Sequence, residues 1–205
     1  MSAITAKAEP GSKHAQILAA ARQLFLEQGY ETASMDAISK AAKVSKATLY
    51  AHFTGKEQLF AAIVACECDD YRRKIMSAAV ERPDVREGLL EIGRRFLKML
   101  VSPHVLSAHR MIIAESPRFP ELGRAFYDNG PARTIAQLSD YLRQVEERGQ
   151  LRMPDPVLAA EQFLGMIKVH VHLRHLLGID TETSDAEVER TVTAAVDMFL
   201  RGYAP

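Results

Sequence analysis

The stretch that decides the fold runs from Ser34 to Phe53 and reads SMDAISKAAKVSKATLYAHF. Ser34 and Ser45 each stand directly before a run with helical spacing. A serine in front of a helix accepts hydrogen bonds from backbone N–H groups that would otherwise lack partners. We therefore predict two short helices joined by a turn, over about 35–42 and about 46–52.

Apolar side chains in this stretch are spaced to pack the two helices on each other and on an earlier helix, predicted for about 13–28 and ended by Gly29. The packing side chains are Ile17, Ala21, Leu24 and Phe25 in the earlier helix and Ile38, Val44, Leu49 and Phe53 in the stretch.

The second short helix is outwardly polar and has little core to cover. Such a helix suits insertion into the major groove of DNA, which is about 12 Å wide. Its lysine can reach a phosphate or a guanine edge, its threonine a base or a phosphate, and its tyrosine and histidine can donate to phosphates. A lysine at the start of the next helix adds a phosphate site beside that helix's backbone amides. The predicted DNA-binding residues are Ser34, Lys46, Ala47, Thr48, Tyr50, His52 and Lys56.

The distribution of charge supports this interpretation, although the net charge of the 205 residues is zero. Residues 1–60 carry seven Lys and Arg against five Asp and Glu, and residues 37–56 carry four lysines and no acid. A local basic patch on a neutral protein is typical of a small DNA-reading module.

The rest of the chain has only helical periodicity, so the predicted fold class is all-α. Thr54 to Glu57 and Ser184 to Glu187 have the form of capping boxes, and Pro103, Pro131 and Pro156 suit first helical turns. The predicted domains are a disordered arm over 1–12, a helix-turn-helix DNA-binding domain over 13–56, and a ligand-binding and dimerisation domain over 57–205 that begins with a linking helix over about 57–80.

The N-terminal pattern resembles the TetR family of bacterial regulators. The matching residues are Ser34, Ile38, Ala42, Val44, Ser45, Lys46, Thr48, Leu49, Tyr50, His52, Phe53, Lys56, Glu57 and Leu59. The run from Ile113 to Tyr127, followed by Gly130 and Pro131, is similar to the AcrR/AefR-like branch of that family. The resemblance implies a transcriptional repressor that binds DNA as a dimer and releases it when a small molecule binds. Lys43 departs from the family's pattern, because many members have glycine in this turn. Glycine tolerates a positive φ and lysine adopts it at a cost, so the resemblance implies a slightly strained turn at Lys43.

A helix predicted over about 156–178 carries two neighbouring apolar stripes, which must be covered on two sides. The stripes are Ala159, Phe163, Met166, His170, Leu173 and Leu177, and Leu158, Gln162, Gly165, Val169, His172 and Leu176. The last helix adds Val188, Val192, Ala195 and Phe199. We predict a homodimer through a four-helix interface, with Gly165 allowing close approach; the alternative is that both stripes belong to the internal core.

Methionines and aromatic side chains adapt to varied apolar ligands, although each of them can equally be plain core. The predicted ligand-binding residues are Phe96, Met99, Met111, Phe126, Phe163, Met166 and His170. The expected effector is an apolar or aromatic small molecule, and the expected operator is near-palindromic. We predict no cofactor and no metal site, because of the three histidines at 170, 172 and 175 only the last two share a helix face.

Two other functional classes have less support in the sequence. An all-helical enzyme lacks support, because the sequence shows no nucleophile–base pair, phosphate-binding glycine loop or metal-ligand spacing. A helical interaction or ligand-binding protein without DNA release is the alternative to a regulator. The absence of a long apolar run and of an apolar signal core predicts a cytoplasmic protein without membrane contact, with Cys66 and Cys68 reduced unless one senses redox state.

Overall fold

The computed structural model describes residues 12–80, 84–180 and 182–205, so residues 1–11 of the arm predicted over 1–12 lie outside these ranges. Its helices are α1 Lys13–Gln28, α2 Met35–Ala41, α3 Lys46–His52, α4 Lys56–Val80, α5 Val85–Leu100, α6 Pro103–Glu115, α7 Pro120–Asn129, α8 Pro131–Glu147, α9 Pro156–Leu176 and α10 Asp185–Gly202. No strand occurs in the described ranges, which confirms the all-α fold. None of the helices there is both long and apolar enough to cross a membrane.

Helix starts follow the capping residues expected from the sequence. The Oγ atoms of Ser34, Ser45 and Ser184 each accept a hydrogen bond from the backbone N–H three residues later, at 3.1, 3.0 and 3.1 Å. Prolines open α6, α8 and α9 as predicted. These contacts fix where the helices begin, because each serine satisfies a donor that the helix itself leaves free.

The capping box predicted at the start of α4 is different in the structure. The carbonyl of Gly55, rather than that of Thr54, accepts the first helical hydrogen bond, from Leu59 N at 3.2 Å. The Gln58 side chain reaches back to Thr54 N at 2.7 Å, so glutamine takes the part expected of Glu57. The helix therefore starts one position later relative to Thr54 than the motif suggested.

The chain divides into two compact units, and each has its own core. Unit 1 comprises residues 1–69 and 107–130. Its buried side chains come from α1, α2, α3 and the first half of α4, and they are joined by Ile112 of α6 and Leu122 of α7. The helix-turn-helix thus shares its core with chain from beyond residue 106.

Unit 2 comprises residues 70–106 and 131–205. Its core collects side chains from α4, α5, α8, α9 and α10, including Leu97, Leu142, Phe163 and Val192. The domain boundary predicted between residues 56 and 57 differs from the divisions between these two units, and it stays a prediction.

The apolar residues predicted for the dimer face of α10 face the core of their own unit instead. Val188, Val192, Ala195 and Phe199 are buried in unit 2, and Phe199 exposes only 1% of its surface. On α9, Ala159 and Phe163 are buried as well, whereas Leu173 and Leu177 are 52% and 65% exposed. The first predicted stripe is therefore buried toward the start of α9 and exposed toward its end, and cover of α9 by a second subunit stays a prediction.

Candidate DNA-binding surface

The turn between α2 and α3 is closed by backbone hydrogen bonds from Lys43 N to Lys40 O at 3.1 Å and from Val44 N to Ser39 O at 3.0 Å. Lys43 adopts φ +52°, the left-handed conformation predicted for it. A side chain in this conformation costs free energy that glycine would avoid, so the sequence keeps a lysine in the turn against a conformational penalty.

The helix α3 has one buried and one exposed side. Leu49 and Phe53 are buried in the core of unit 1, which fixes the rotation of the helix. The exposed predicted residues on α3 are Lys46, Ala47, Tyr50 and His52. Tyr50 leaves 51% of its surface in solvent, so its ring is not part of the core. A short helix anchored on one side and open on the other can enter a DNA groove.

Of two more predicted residues, Ser34 lies at the start of α2 and Thr48 lies within α3. Ser34 is exposed at the start of α2, where its Oγ accepts from Ala37 N. Thr48 is half-buried, and its hydroxyl lies 2.8 Å from the Oγ of Ser45. Their hydroxyls already stabilise helix starts, so further hydrogen bonds to DNA would have to share these oxygens.

Lys46 forms an ion pair that sequence reasoning missed. Its Nζ donates to Oδ2 of Asp36 at 2.7 Å, and both side chains are exposed. An exposed pair of this kind contributes about 0–1 kcal/mol, so a DNA phosphate could replace the carboxylate at small cost.

Lys56 turns back into unit 1. Its Nζ donates to the backbone carbonyls of Tyr30 at 2.8 Å and Glu31 at 2.9 Å, and it lies 4.8 Å from the centre of the Tyr30 ring. Two of the three ammonium protons are thereby used. The lysine holds the α1–α2 loop against the start of α4, and one proton remains for the predicted phosphate contact.

His14 is a neighbour of the site that the sequence did not single out. Its ring lies 5.8 Å from that of His52 and 5.0 Å from that of Phe53, between the centroids. Burial, and to a lesser extent the nearby His52, lowers the pKa of His14 below its usual value. The contact ties the start of α1 to the end of α3, which is the end that carries His52.

The predicted ligand-binding residues fall into different surroundings. Phe96 and Phe163 are buried in unit 2, and Met99 and Met166 pack against the same core. Met111 and Phe126 instead pack against the core of unit 1, and His170 is exposed on α9. His172 and His175, the pair on one face, are buried. Among the described residues, no three His, Cys, Asp or Glu side chains are grouped to hold a metal ion.

Comparison with known proteins matches both parts of the chain to one family. The N-terminal model of the bacterial regulatory proteins, tetR family, matches residues 17–63. The model of the AefR-like transcriptional repressor C-terminal domain matches residues 87–205, which is more than half of the chain. The chain belongs to the TetR family. It is therefore a DNA-binding transcriptional regulator and not an enzyme, and regulators of this family act as dimers.

Solved structures of TetR-family members agree with the regulator over nearly its whole length. A TetR-family transcriptional regulator from Mesorhizobium loti is 32% identical, with a TM-score of 0.85, over 97% of this chain and 100% of that one. The flavonoid-responsive regulator FrrA is 37% identical, with a TM-score of 0.82, over 94% of this chain and 97% of that one.

Curated relatives of the regulator include both repressors and activators. An HTH-type transcriptional repressor from Mycobacterium tuberculosis is 30% identical over 72% of this chain and 74% of its own length. The transcriptional activator FasR from Mycolicibacterium smegmatis is 31% identical over 49% of this chain. The matches span only 45% of FasR and 25% of the UidR regulator from Escherichia coli.

Proposed function

We propose that this TetR-family regulator is a repressor that binds a near-palindromic operator as a homodimer and leaves it when an apolar or aromatic small molecule binds. The observation that supports DNA reading by α3 is that Lys46, Tyr50 and His52 are exposed while Leu49 is buried. The name of the Mycobacterium tuberculosis relative supports repression, and the flavonoid response of FrrA supports an aromatic effector.

In this proposal the residues of α3 divide the work of recognition. Ala47 and Thr48 offer methyl groups to thymine, while Lys46 reaches a guanine edge or a phosphate. Tyr50, His52 and Ser34 donate to phosphates, and Lys56 adds its remaining proton. Phosphate contacts set the position of the helix, and base contacts set the sequence that it prefers.

The effector is proposed to bind in the core of unit 2, among Phe96, Met99, Phe163 and Met166. These four side chains pack in one cluster, and methionine adapts its shape to a ligand at low cost. The proposal does not extend to Met111, Phe126 and His170, since two of them pack in the other core and the third is exposed.

The second subunit is proposed to cover the exposed side of α9. Leu158, Leu173 and Leu177 are about half or more exposed there, and Met198 of α10 is 59% exposed. Exposed apolar side chains gathered on adjacent helices mark interaction surfaces. In a two-fold dimer, the two α3 helices would read half-sites one DNA turn apart, about 34–36 Å, or a multiple of that distance.

The test is fluorescence anisotropy with labelled DNA from beside the regulator's own gene, in the presence and absence of a flavonoid. We expect binding without the flavonoid and a reduction of about 5–150-fold with it, the range of typical allosteric coupling. Reciprocity requires that operator DNA weaken flavonoid binding by the same factor. Equal flavonoid affinity with and without DNA would contradict release by this effector.

Replacing Lys46 by alanine tests the assignment of α3. If Lys46 reads a base edge, Lys46→Ala should cost about 1–3 kcal/mol of operator binding and relax the sequence preference at one position. If it contacts phosphate only, binding should weaken equally on all sequences, and the dependence of log affinity on log salt should fall by about one. Lys74→Ala removes the same charge from an exposed position on α4 in unit 2 and is the matched control. Unchanged binding of Lys46→Ala at low and high salt would refute the assignment.

A further inference from the structure

The core of unit 2 contains a phenol hydroxyl without a hydrogen-bond partner. Tyr141 lies on the buried side of α8 with Leu138, Leu142 and Val145, and only 5% of its surface is exposed. Its hydroxyl oxygen is shielded from solvent and makes no hydrogen bond. Buried polar groups in folded proteins are nearly always paired, so an unpaired one calls for an explanation.

Two other polar side chains buried in the same unit, Ser139 and His175, do find partners. Ser139, two positions earlier on α8, donates to the carbonyl of Ala136 at 2.8 Å. Both ring nitrogens of His175 are used as well, at 3.0 Å from Val171 O and 2.8 Å from the hydroxyl of Thr183. Phenylalanine at position 141 would fill the same space without an unpaired oxygen, so packing alone does not account for the tyrosine.

We propose that the Tyr141 hydroxyl is the hydrogen-bond donor that anchors the effector in unit 2, and that the effector carries an uncharged acceptor oxygen such as a ketone. This inference rests on the proposed function and adds the chemical class of the ligand. The ring of Tyr141 belongs to an apolar core, so the part of the ligand that packs beside it must be apolar.

The electrostatic surroundings select an uncharged acceptor. Burial raises the pKa of Tyr141 above its usual value, and the carboxylate of Asp84 acts in the same direction, while the guanidinium of Arg148 opposes them. The phenol therefore stays protonated at neutral pH and offers a proton. Burial also disfavours a charged ligand group, because an ion loses its hydration in such a core. A neutral carbonyl accepts the hydrogen bond without that cost.

The same surroundings place the anchor near the start of α5, so Met99, about 22 Å further along that helix, does not line the part of the ligand site that Tyr141 anchors. Asp84 caps the start of α5, and Arg148 follows the last residue of α8. Tyr141 shares its core with Met76 of α4 and with Met153. Methionine side chains are unbranched and move with little strain, so they can make room for a ligand.

The experiment compares the binding of two probes, flavanone and flavan, which differ only in the ketone that flavanone carries. Calorimetry measures their affinities for the full-length wild type, Tyr141→Phe and Tyr203→Phe. We expect the wild type to bind flavanone about tenfold more tightly than flavan, which corresponds to about 1.4 kcal/mol. Tyr141→Phe should lose this preference. Tyr203→Phe, whose hydroxyl donates to Oε1 of Gln162 at 2.6 Å, should keep it.

Thermal unfolding without ligand is the second readout. Tyr141→Phe should be at least as stable as the wild type, because it removes a hydroxyl that has no partner, whereas Tyr203→Phe should be less stable. The inference is overturned if neither probe binds the wild type, if the wild type does not prefer flavanone, if Tyr141→Phe keeps the preference, or if Tyr141→Phe is clearly destabilised.

Operator release separates this inference from the proposed function. If flavanone releases DNA equally from the wild type and Tyr141→Phe, the function stands and the anchor is wrong. If flavanone binds through Tyr141 but leaves operator affinity unchanged, the anchor stands and the proposed switch is wrong.

Discussion

Leu173→Asp is expected to convert the dimer into monomers and to weaken operator binding by about 100-fold or more. Leu173 is 52% exposed on the apolar side of α9, one turn before the exposed Leu177. A carboxylate buried there between two subunits would lose its hydration without gaining a partner. A monomer reads only one half-site, and joining two half-sites typically raises affinity 100- to 10,000-fold.

The measurements are light scattering for the oligomeric state and anisotropy for operator affinity. Ile113→Asp is the matched control, because Ile113 of α6 in unit 1 is 57% exposed and should tolerate the same change as a dimer. Phe199→Asp cannot serve as an interface variant, because Phe199 is buried in its own core and the change should unfold the chain. A dimeric Leu173→Asp would place the interface elsewhere.

Gly93→Ala is expected to lower the free energy of unfolding by about 1–3 kcal/mol, the usual cost of overpacking a core. A Cβ atom at Gly93 would lie 2.6 Å from Cγ1 of Val192 and 3.1 Å from Cδ1 of Ile167. Val192 is fully buried, so its branched side chain has no room to yield. The better helix propensity of alanine, up to about 1 kcal/mol, does not offset such a contact.

Gly202→Ala is the matched control, since it makes the same change within a helix, at the last residue of α10. A Cβ at Gly202 meets no atom within 4 Å, so this variant should be as stable as the wild type or more stable. Chemical denaturation measures both variants, and Gly93→Ala with Val192→Ala should regain part of the lost stability. A Gly93→Ala protein as stable as the wild type would contradict the close packing of α5 on α10.

Sequence alone could predict the elements whose causes are local. The serines and prolines at helix starts follow from nearest neighbours along the chain, and the structure confirms them. The left-handed Lys43 follows from the glycine that related sequences carry at this position, and the structure confirms it as well. The assignment of the whole helix-turn-helix likewise depends on a short, contiguous pattern. Such features need no knowledge of distant chain.

The remaining features depend on contacts between distant segments. Position 93 lies four residues after Leu89 and four before Leu97, so its spacing could predict that it faces the core side of α5. The sequence could not show that Val192 would be the side chain packed against it. The ring of Tyr30 under the Lys56 ammonium is another example, since 26 positions separate them. Periodicity shows that a helix side is apolar, but not which helix will cover it.

Unit 1 is assembled from two separate stretches of chain, and this limits how such regulators can be recombined. Ile112 and Leu122 complete the core that also contains Phe25 and Leu59. A chimaera that grafts only the first 69 residues onto another sensor would leave that core open to water. Segments 1–69 and 107–130 together form the module to transplant. Exchanging both segments moves the helix-turn-helix together with α6 and α7, which complete its core.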